Sequence, residues 1–435
     1  MHSKQGEQFS RVAGNLSGMK FIFRSLRYRN FRLFFAGQLV SLIGTWMQTI
    51  AMSWFVYQFT NSTLTLGIVA FCSQIPSFFI APFAGVFIDR LNKHKILVIT
   101  QTLSMLQAFA LAFLVISKIY LVWPIIVLSL FLGFVNAFDI PGRQAFIVEM
   151  VGKKEDLGNA IALNSLMFNI ARLLGPSIAG ILITVVGEGT CFLINGVSFL
   201  AVIAALLAMK NLHHKREIKR SHVLEDLKEG FRYAFRTLPI RFILMLLGMI
   251  SLVGMSYAIL MPVFARHILG GGPQTFGFLM ASIGIGACAG TVYLASRKNI
   301  AGFIKIIAYA TGIFGLGLVL FSLSRTLWLS LLILFVTGFA MMVQMASCNT
   351  ILQTIVEDDK RGRVMSFYTM SFMGMAPFGS LIAGIMATHI GAPLTVTCGG
   401  LACFVGALIF AKSIPLFKKH IHSLYKKTGI FSPVA

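Results

Sequence analysis

The sequence predicts an all-α membrane protein with twelve transmembrane helices in two six-helix pseudo-repeat halves. Three observations lead there: a composition too apolar for water, twelve apolar stretches with alternating flanking charge, and a segment of the first half that reappears in the second. The chain has 435 residues, 57% hydrophobic and 12% charged, with a mean hydropathy of +0.83. Soluble domains carry about 25% charged residues, so a soluble enzyme and a disordered chain are both excluded. Lys and Arg number 37 against 14 Asp and Glu, a net charge of +23. In a soluble chain such an excess points to nucleic acid. In one this apolar it points to basic loops on one membrane face.

A membrane helix needs about 20 apolar residues to cross about 30 Å of hydrocarbon. Twelve stretches qualify: 33–58, 64–88, 96–117, 119–140, 158–186, 189–209, 242–264, 275–296, 303–323, 326–350, 364–388 and 392–412. The N-terminal segment, the loops after spans 2, 4, 6, 8 and 10, and the C-terminal tail, counted with the span ends that adjoin them, hold 33 of the 37 positive charges. The loops on the other side hold Lys118, Arg266 and Arg325, and Arg172 falls inside span 5. An odd span count would break this alternation. By the positive-inside rule both termini and the central linker are expected in the cytoplasm.

The expected organisation is a basic N-terminal segment (1–30), a first six-helix half (31–209), a linker (210–240), a second half (241–412) and a tail (413–435). Residues 1–30 lack the early apolar run of a cleavable signal. In the linker, Leu224, Leu227, Phe231 and Phe235 recur at helical spacing among charges, so a helix along the membrane surface is expected. The six cysteines fall in or at the ends of spans with no metal-ligand spacing, which reads as apolar packing. No metal site and no cofactor is expected.

The halves share an internal repeat. Gly158 to Gly187 aligns without gaps on Gly362 to Gly391, an offset of 204. Within it Gly175-Pro176-Ser177-Ile178-Ala179-Gly180-Ile181 answers Gly379-Ser380-Leu381-Ile382-Ala383-Gly384-Ile385. Glycines match as well as aliphatic residues, which separates a duplication from two merely apolar stretches. Two parallel repeats joined by a linker is a layout of secondary transporters.

After span 2 comes Gly85-Val86-Phe87-Ile88-Asp89-Arg90-Leu91-Asn92-Lys93-His94-Lys95. It resembles the G-x-x-x-D-R-x-G-R-[RK] signature of the major facilitator superfamily, with Asn92 in place of a glycine. Asn tolerates a left-handed turn, so a tight loop is expected there. Asn136-Ala137-Phe138-Asp139-Ile140-Pro141-Gly142-Arg143 after span 4, and Arg361-Gly362-Arg363-Val364 before span 11, resemble the drug:proton antiporter-3 branch. That branch includes macrolide efflux pumps and the enterobactin exporter. Gly175-Pro176-x-x-Ala179-Gly180 is similar to an exporter signature, G-P-x-x-G-G, with Ala179 for its first paired glycine. The resemblance covers residues 30–412. It implies a latch on the cytoplasmic side, formed by Gly85, Asp89 and Arg90 against the Gly362-Arg363 start of span 11. An acid beside a helix N-terminus and an Arg is favourable on both counts. The corresponding loop after span 8, Ser296-Arg297-Lys298-Asn299, lacks the acid.

Charges inside spans need a reason, since insertion scales set the cost at about 2.5–3.5 kcal/mol. Arg172 lies near the middle of span 5, close to Asn164, Ser165 and Asn169, and its repeat partner is Ala376. It either pairs with Asp139 or holds an anionic cargo, or it is a structural charge locking helices. Asp139 and Arg143 stand one turn apart with Pro141 between them, where a helix end is expected. Asp139 is the candidate proton-coupling site, with an ordinary surface ion pair as the alternative. Glu149 is a further acid at the membrane surface.

Gln38, Ser41, Thr45 and Gln48 form a polar stripe on one face of span 1, with Trp46, Trp54 and Tyr57 nearby. Span 4 offers Asn136, span 7 offers Ser251 and Tyr257, and span 10 offers Gln344, Ser347 and Asn349. The resemblance implies that helices 1, 4, 7 and 10 line a central cavity, and a neutral aromatic lining suits a bulky amphipathic solute. Interhelical hydrogen bonding within the bundle is the other reading of the stripe. Gly270-Gly271-Gly272-Pro273 is not followed by G-K-[ST], so no nucleotide site is read and transport should draw on an ion gradient. The expected protein is a monomeric, proton-coupled exporter of a siderophore or drug in a bacterial inner membrane. Its partners are the cargo, a coupling ion and the bilayer, with no nucleic acid. Import by the same fold, and a sensor or assembly factor that has lost transport, are the alternatives.

Overall fold

The computed structural model describes residues 23–210, 223–297 and 302–428. The side chains of Gly85, Asp89, Arg90 and the stretch from 417 onward lie outside the described residues, so the acid of the latch does too. Among the described residues the secondary structure is all helical. In the first half α1 is Arg29–Thr60, α2 Thr63–Arg90, α3 Lys93–Ile116 and α4 Val122–Met150. The run Lys154–Leu207 has a non-helical break at Gly187. At 1.5 Å per residue it would span about 80 Å, more than twice a hydrocarbon core. It is therefore two crossings, α5 before Gly187 and α6 after it. In the second half α7 is Leu238–Ile268, α8 Pro273–Ala295, α9 Phe303–Leu323 and α10 Leu327–Ile355. Helix α11 covers 358–390 and α12 is Ala392–Thr428.

Local chemistry sets most boundaries. Asn61, with φ 49°, ends α1 in a left-handed conformation, which Asn tolerates better than most residues. Ser62 caps α2, its hydroxyl accepting from the Thr65 amide at 3.2 Å. Asn92 corrects an expectation: its φ is −72°, not left-handed. It caps α3, its side-chain oxygen accepting from the Lys95 amide at 3.1 Å. An Asn supplies a capping acceptor that Gly lacks. Helix α4 also corrects one, because it runs through Pro141 to Met150. Proline forfeits one backbone bond, but its fixed φ is compatible with a helix. The tail differs as well, since α12 continues past 412 to Thr428.

The repeat holds in the backbone. Gly187 has φ 80° and ψ 170°, and its mate Gly391 has φ 81° and ψ 157°. Each is a one-residue corner between two helices, in a region that disfavours residues with a Cβ. The halves meet near these corners, at the end of the bundle opposite the termini. There α5 crosses α8 and α2 crosses α11 at paired glycines. A Cβ on Gly180 would stand 3.1 Å from the Gly277 Cα, and one on Gly67 would stand 3.1 Å from the Gly384 Cα. Thr63 Oγ1 donates to the Gly384 carbonyl at 3.1 Å and lies 2.9 Å from Thr388 Oγ1.

The buried apolar residues divide to match. One cluster runs through the second half and crosses into the first only at that end, through Met47, Trp54, Val69, Ile183 and Phe192. The other cluster belongs to the first half alone and sits toward the basic end, around Phe31, Phe34, Leu97, Phe146 and Phe199. Among the described residues the halves are therefore joined toward one end, with separate buried clusters toward the end that carries the linker.

The linker helix Val223–Arg236 docks on the start of α11. Phe231 stacks on Phe235 at 4.3 Å and meets Phe367 edge-on at 6.0 Å. Glu229 pairs with Arg363 at 2.7 Å, and Lys360 lies 4.7 Å above the Tyr233 ring. Of the expected latch residues, Arg363 is thus placed against the linker helix.

Candidate transport site

The candidate residues lie on helices of both halves, below the glycine crossings and toward the basic end. Helix α5 packs on both α1 and α8. Its GPxxAG segment works as a packing element. Gly175 faces α1, where a Cβ would stand 3.1 Å from the Ile43 carbonyl, and Gly180 faces α8. Pro176 lacks an amide hydrogen, so the carbonyl of Arg172, four residues earlier, loses its helical donor. That carbonyl faces Gly284 of α8.

Arg172 is half-buried, and its Nη2 donates to Asn169 Oδ1 at 3.0 Å. Asn169 in turn donates to the Ser165 carbonyl at 2.9 Å. Among the described residues Arg172 forms no ion pair, with Asp139 or any other acid.

Asp139 has its own partners. It is 3% exposed, which removes the surface ion-pair reading. Its Oδ1 accepts from Thr100 Oγ1 at 2.9 Å and Gln101 Nε2 at 2.7 Å, both on α3. Arg143 Nε lies 2.8 Å from Oδ2. The carboxylate is thus held between α3 and α4 inside the first half. Nearby, Lys93 Nζ donates to Glu149 Oε1 at 2.7 Å, tying the start of α3 to the end of α4.

The polar stripe of α1 splits. Gln48 does not face the cleft: its amide donates to Gln107 Oε1 at 3.0 Å and accepts from Asn195 Nδ2 at 2.7 Å. Ser198 donates to Asn195 Oδ1 at 3.1 Å, so α1, α3 and α6 share one buried amide chain. Gln38 and Ser41 are 2% and 1% exposed, whereas Thr45 is half-exposed and bonds back to the Ser41 carbonyl. On α10, Gln344 is buried and donates to Cys348 Sγ at 3.3 Å. Asn349 is half-buried and accepts from Gln353 at 3.0 Å. Asn136 of α4 is half-buried and Tyr257 is buried.

Sequence reasoning missed Thr100, Gln101, Gln107 and Asn195, because a lone polar residue in a span gives no sign of its partner on another helix. It also missed Asp156 at the charged start of α5. Arg24 and Arg27 pair with that carboxylate at 3.2 and 2.5 Å, and the Tyr28 hydroxyl donates to it at 2.7 Å. The Tyr28 hydroxyl, then Arg27 and Arg24, hold the Asp156 carboxyl below its ordinary range.

Comparison with known proteins accounts for this arrangement. The family described as transmembrane secretion effector matches residues 22–426. The staphyloferrin A transporter of Staphylococcus aureus is 28% identical over 87% of this chain and 95% of its own length. Macrolide efflux protein A of Streptococcus pyogenes is 23% identical over 84% of this chain and 92% of its own. A bacterial homologue of the lysosomal transporter Spinster, solved inward-facing and occupied, superposes with a TM-score of 0.70 at 11% identity, covering 90% of this chain and 98% of that one. A bacterial homologue of the iron transporter ferroportin, solved in an inward-facing state, gives 0.64 at 16% identity, covering 88% and 98%. These matches replace the non-transporting alternative. The chain belongs to the transmembrane secretion effector family of the major facilitator superfamily and is a multi-pass membrane transporter, not an enzyme.

Proposed function

We propose that this transporter exports an amphipathic small molecule, a siderophore or a drug, in exchange for protons. It works by alternating access as a monomer in a bacterial inner membrane, with the termini and linker in the cytoplasm. The observation that carries this reading is the one-ended closure of the bundle. The glycine crossings of Gly180 on Gly277 and Gly67 on Gly384 lie at the end with few positive charges. Among the described residues the buried clusters separate toward the basic end. A cleft open toward the basic side receives solute from the cytoplasm. Full-length similarity to a siderophore transporter and to efflux proteins supports the cargo class.

In the proposed cycle, solute enters beside Thr45, Asn136, Tyr257, Gln344 and Asn349. Asp139 is the proton-responsive acid: a proton on its carboxylate would displace Arg143 and loosen α4. Asp89, pressing on the Arg363 start of α11, would lock the cytoplasmic side when the cleft faces out. The test is flux in proteoliposomes under an imposed pH gradient, with a macrolide and a siderophore as cargo. Proton-driven movement toward the acidic compartment supports export by exchange. Movement in the opposite direction would establish import, and no movement of either solute would refute the proposal.

A further inference from the structure

Arg172 is a charge that the fold does not account for. Several cations toward the middle and basic end of the first half have acids: Arg143 has Asp139, Lys93 has Glu149, and Arg24 and Arg27 have Asp156. Arg172 has the neutral Asn169. Its repeat mate in α11 is Ala376, so the duplicated architecture stands without a cation at this position. An uncompensated cation in a span is costly and marks a solute pathway more often than a packing role.

Its place in the bundle says what it can do. Arg172 precedes Gly180 by eight residues, about 12 Å along the helix. It therefore lies on the basic side of the Gly180 crossing, at a level where α5 still packs on α8. Its carbonyl faces Gly284 of α8 across the seam, so both halves contribute to its surroundings. Ser165 and Asn169 extend a polar line down α5 from Arg172 toward the basic end. The side chain is half-buried, and among the described residues only its Nη2 has a hydrogen-bond partner. A guanidinium presents five donors in a planar fork that matches a planar oxyanion in two-point contact.

We infer that Arg172 is the anion-recognising residue of the cleft, and that the cargo carries a carboxylate or sulfonate group beside its apolar body. This rests on the transporter reading and adds a charge to the substrate class. Asn169 is a positioning residue that holds the guanidinium toward the seam.

Two probes isolate the charge: naphthalene-2-sulfonate and its neutral sulfonamide. Binding to purified full-length protein is measured by quenching of intrinsic fluorescence at pH 7. Wild type should prefer the sulfonate about tenfold, the worth of one charge-assisted contact. R172Q should lose that preference and keep its affinity for the sulfonamide. R172K retains charge without the fork and should keep part of the preference. Equal binding of the two probes by wild type, including no binding of either, overturns the assignment. So does a preference that survives unchanged in R172Q, or in R172K should R172Q fail to fold. Flux in proteoliposomes separates the layers. A sulfonate preference without flux above protein-free vesicles leaves the anion site standing and removes transport. Flux of the sulfonamide without a sulfonate preference does the reverse.

Discussion

Gly180 and Gly277 pass within contact of each other's backbone. A Cβ on Gly180 would lie 2.9 Å from the Pro273 carbonyl, and one on Gly277 would lie 2.8 Å from the Pro176 carbonyl. Neither neighbour is a flexible side-chain tip, so the helices themselves must part to admit a methyl group. Overpacking of this kind costs about 1–3 kcal/mol, a shift of roughly 5–150-fold in a two-state balance. Gly180→Ala should therefore move the protein toward the conformation open at the corner end. Distances between spin labels across that end should lengthen in a larger fraction of molecules, while the melting temperature changes little.

Asp139 supports a second prediction. Asp139→Asn keeps the shape but removes the charge that Arg143 faces at 2.8 Å. Flux driven by a pH gradient should fall at least about tenfold if proton exchange is lost, equivalent to about 1.4 kcal/mol. Downhill exchange of solute should persist. If gradient-driven flux survives intact, Asp139 is not the coupling acid. Arg143→Gln in the same background should restore part of any lost thermal stability, because it removes the uncompensated cation.

Gln48 separates packing from solute contact. Gln48→Ala strips one partner each from Gln107 and Asn195, which stay buried. Leaving such groups unpaired costs about 1–3 kcal/mol. The melting temperature should fall, and affinity for any transported solute should stay within about twofold, under 0.5 kcal/mol. Thr45→Ala, on the half-exposed side of the same stripe, should give the opposite pattern.

Asp156 predicts a pH response at the N-terminal segment. Its carboxyl is held low by Tyr28, Arg27 and Arg24, so docking favours the ionised form. The contribution is complete above the ordinary aspartate range of about 3.9 and is lost as pH falls through the lowered value. Hydrogen exchange at residues 24–28, corrected for its intrinsic pH dependence, should be flat from pH 7 to 5 and rise only in stronger acid. Asp156→Asn should expose the segment at every pH.

The periodic and repetitive features were legible in the sequence. Twelve spans, the linker helix and the duplication follow from hydropathy, charge alternation and the 204-residue offset, and Gly187 and Gly391 adopt matching conformations. What the sequence could not tell is which way a face points. The α1 stripe was correct as a stripe, yet Gln48 belongs to an amide chain inside the first half. Periodicity identifies residues that share a face, not what covers it. Pro141 and Asn92 were misread for a related reason. A residue's local preference admits several conformations, and α4 and the start of α3 select the one that packing needs. The partners of Asp139 were hidden because Thr100 and Gln101 lie nearly forty residues earlier, on a neighbouring helix.

The one-residue corners at Gly187 and Gly391 have a consequence for how the outside world meets this protein. On that face the other connections are also short: residues 61–62, 117–121, 269–272 and 324–326. Proteases and other macromolecules engage exposed loop tips, and no connection there exceeds five residues. Antibodies raised against the intact protein should accordingly be scarce on the corner face. Limited digestion should cut only from the side that carries the linker and tail.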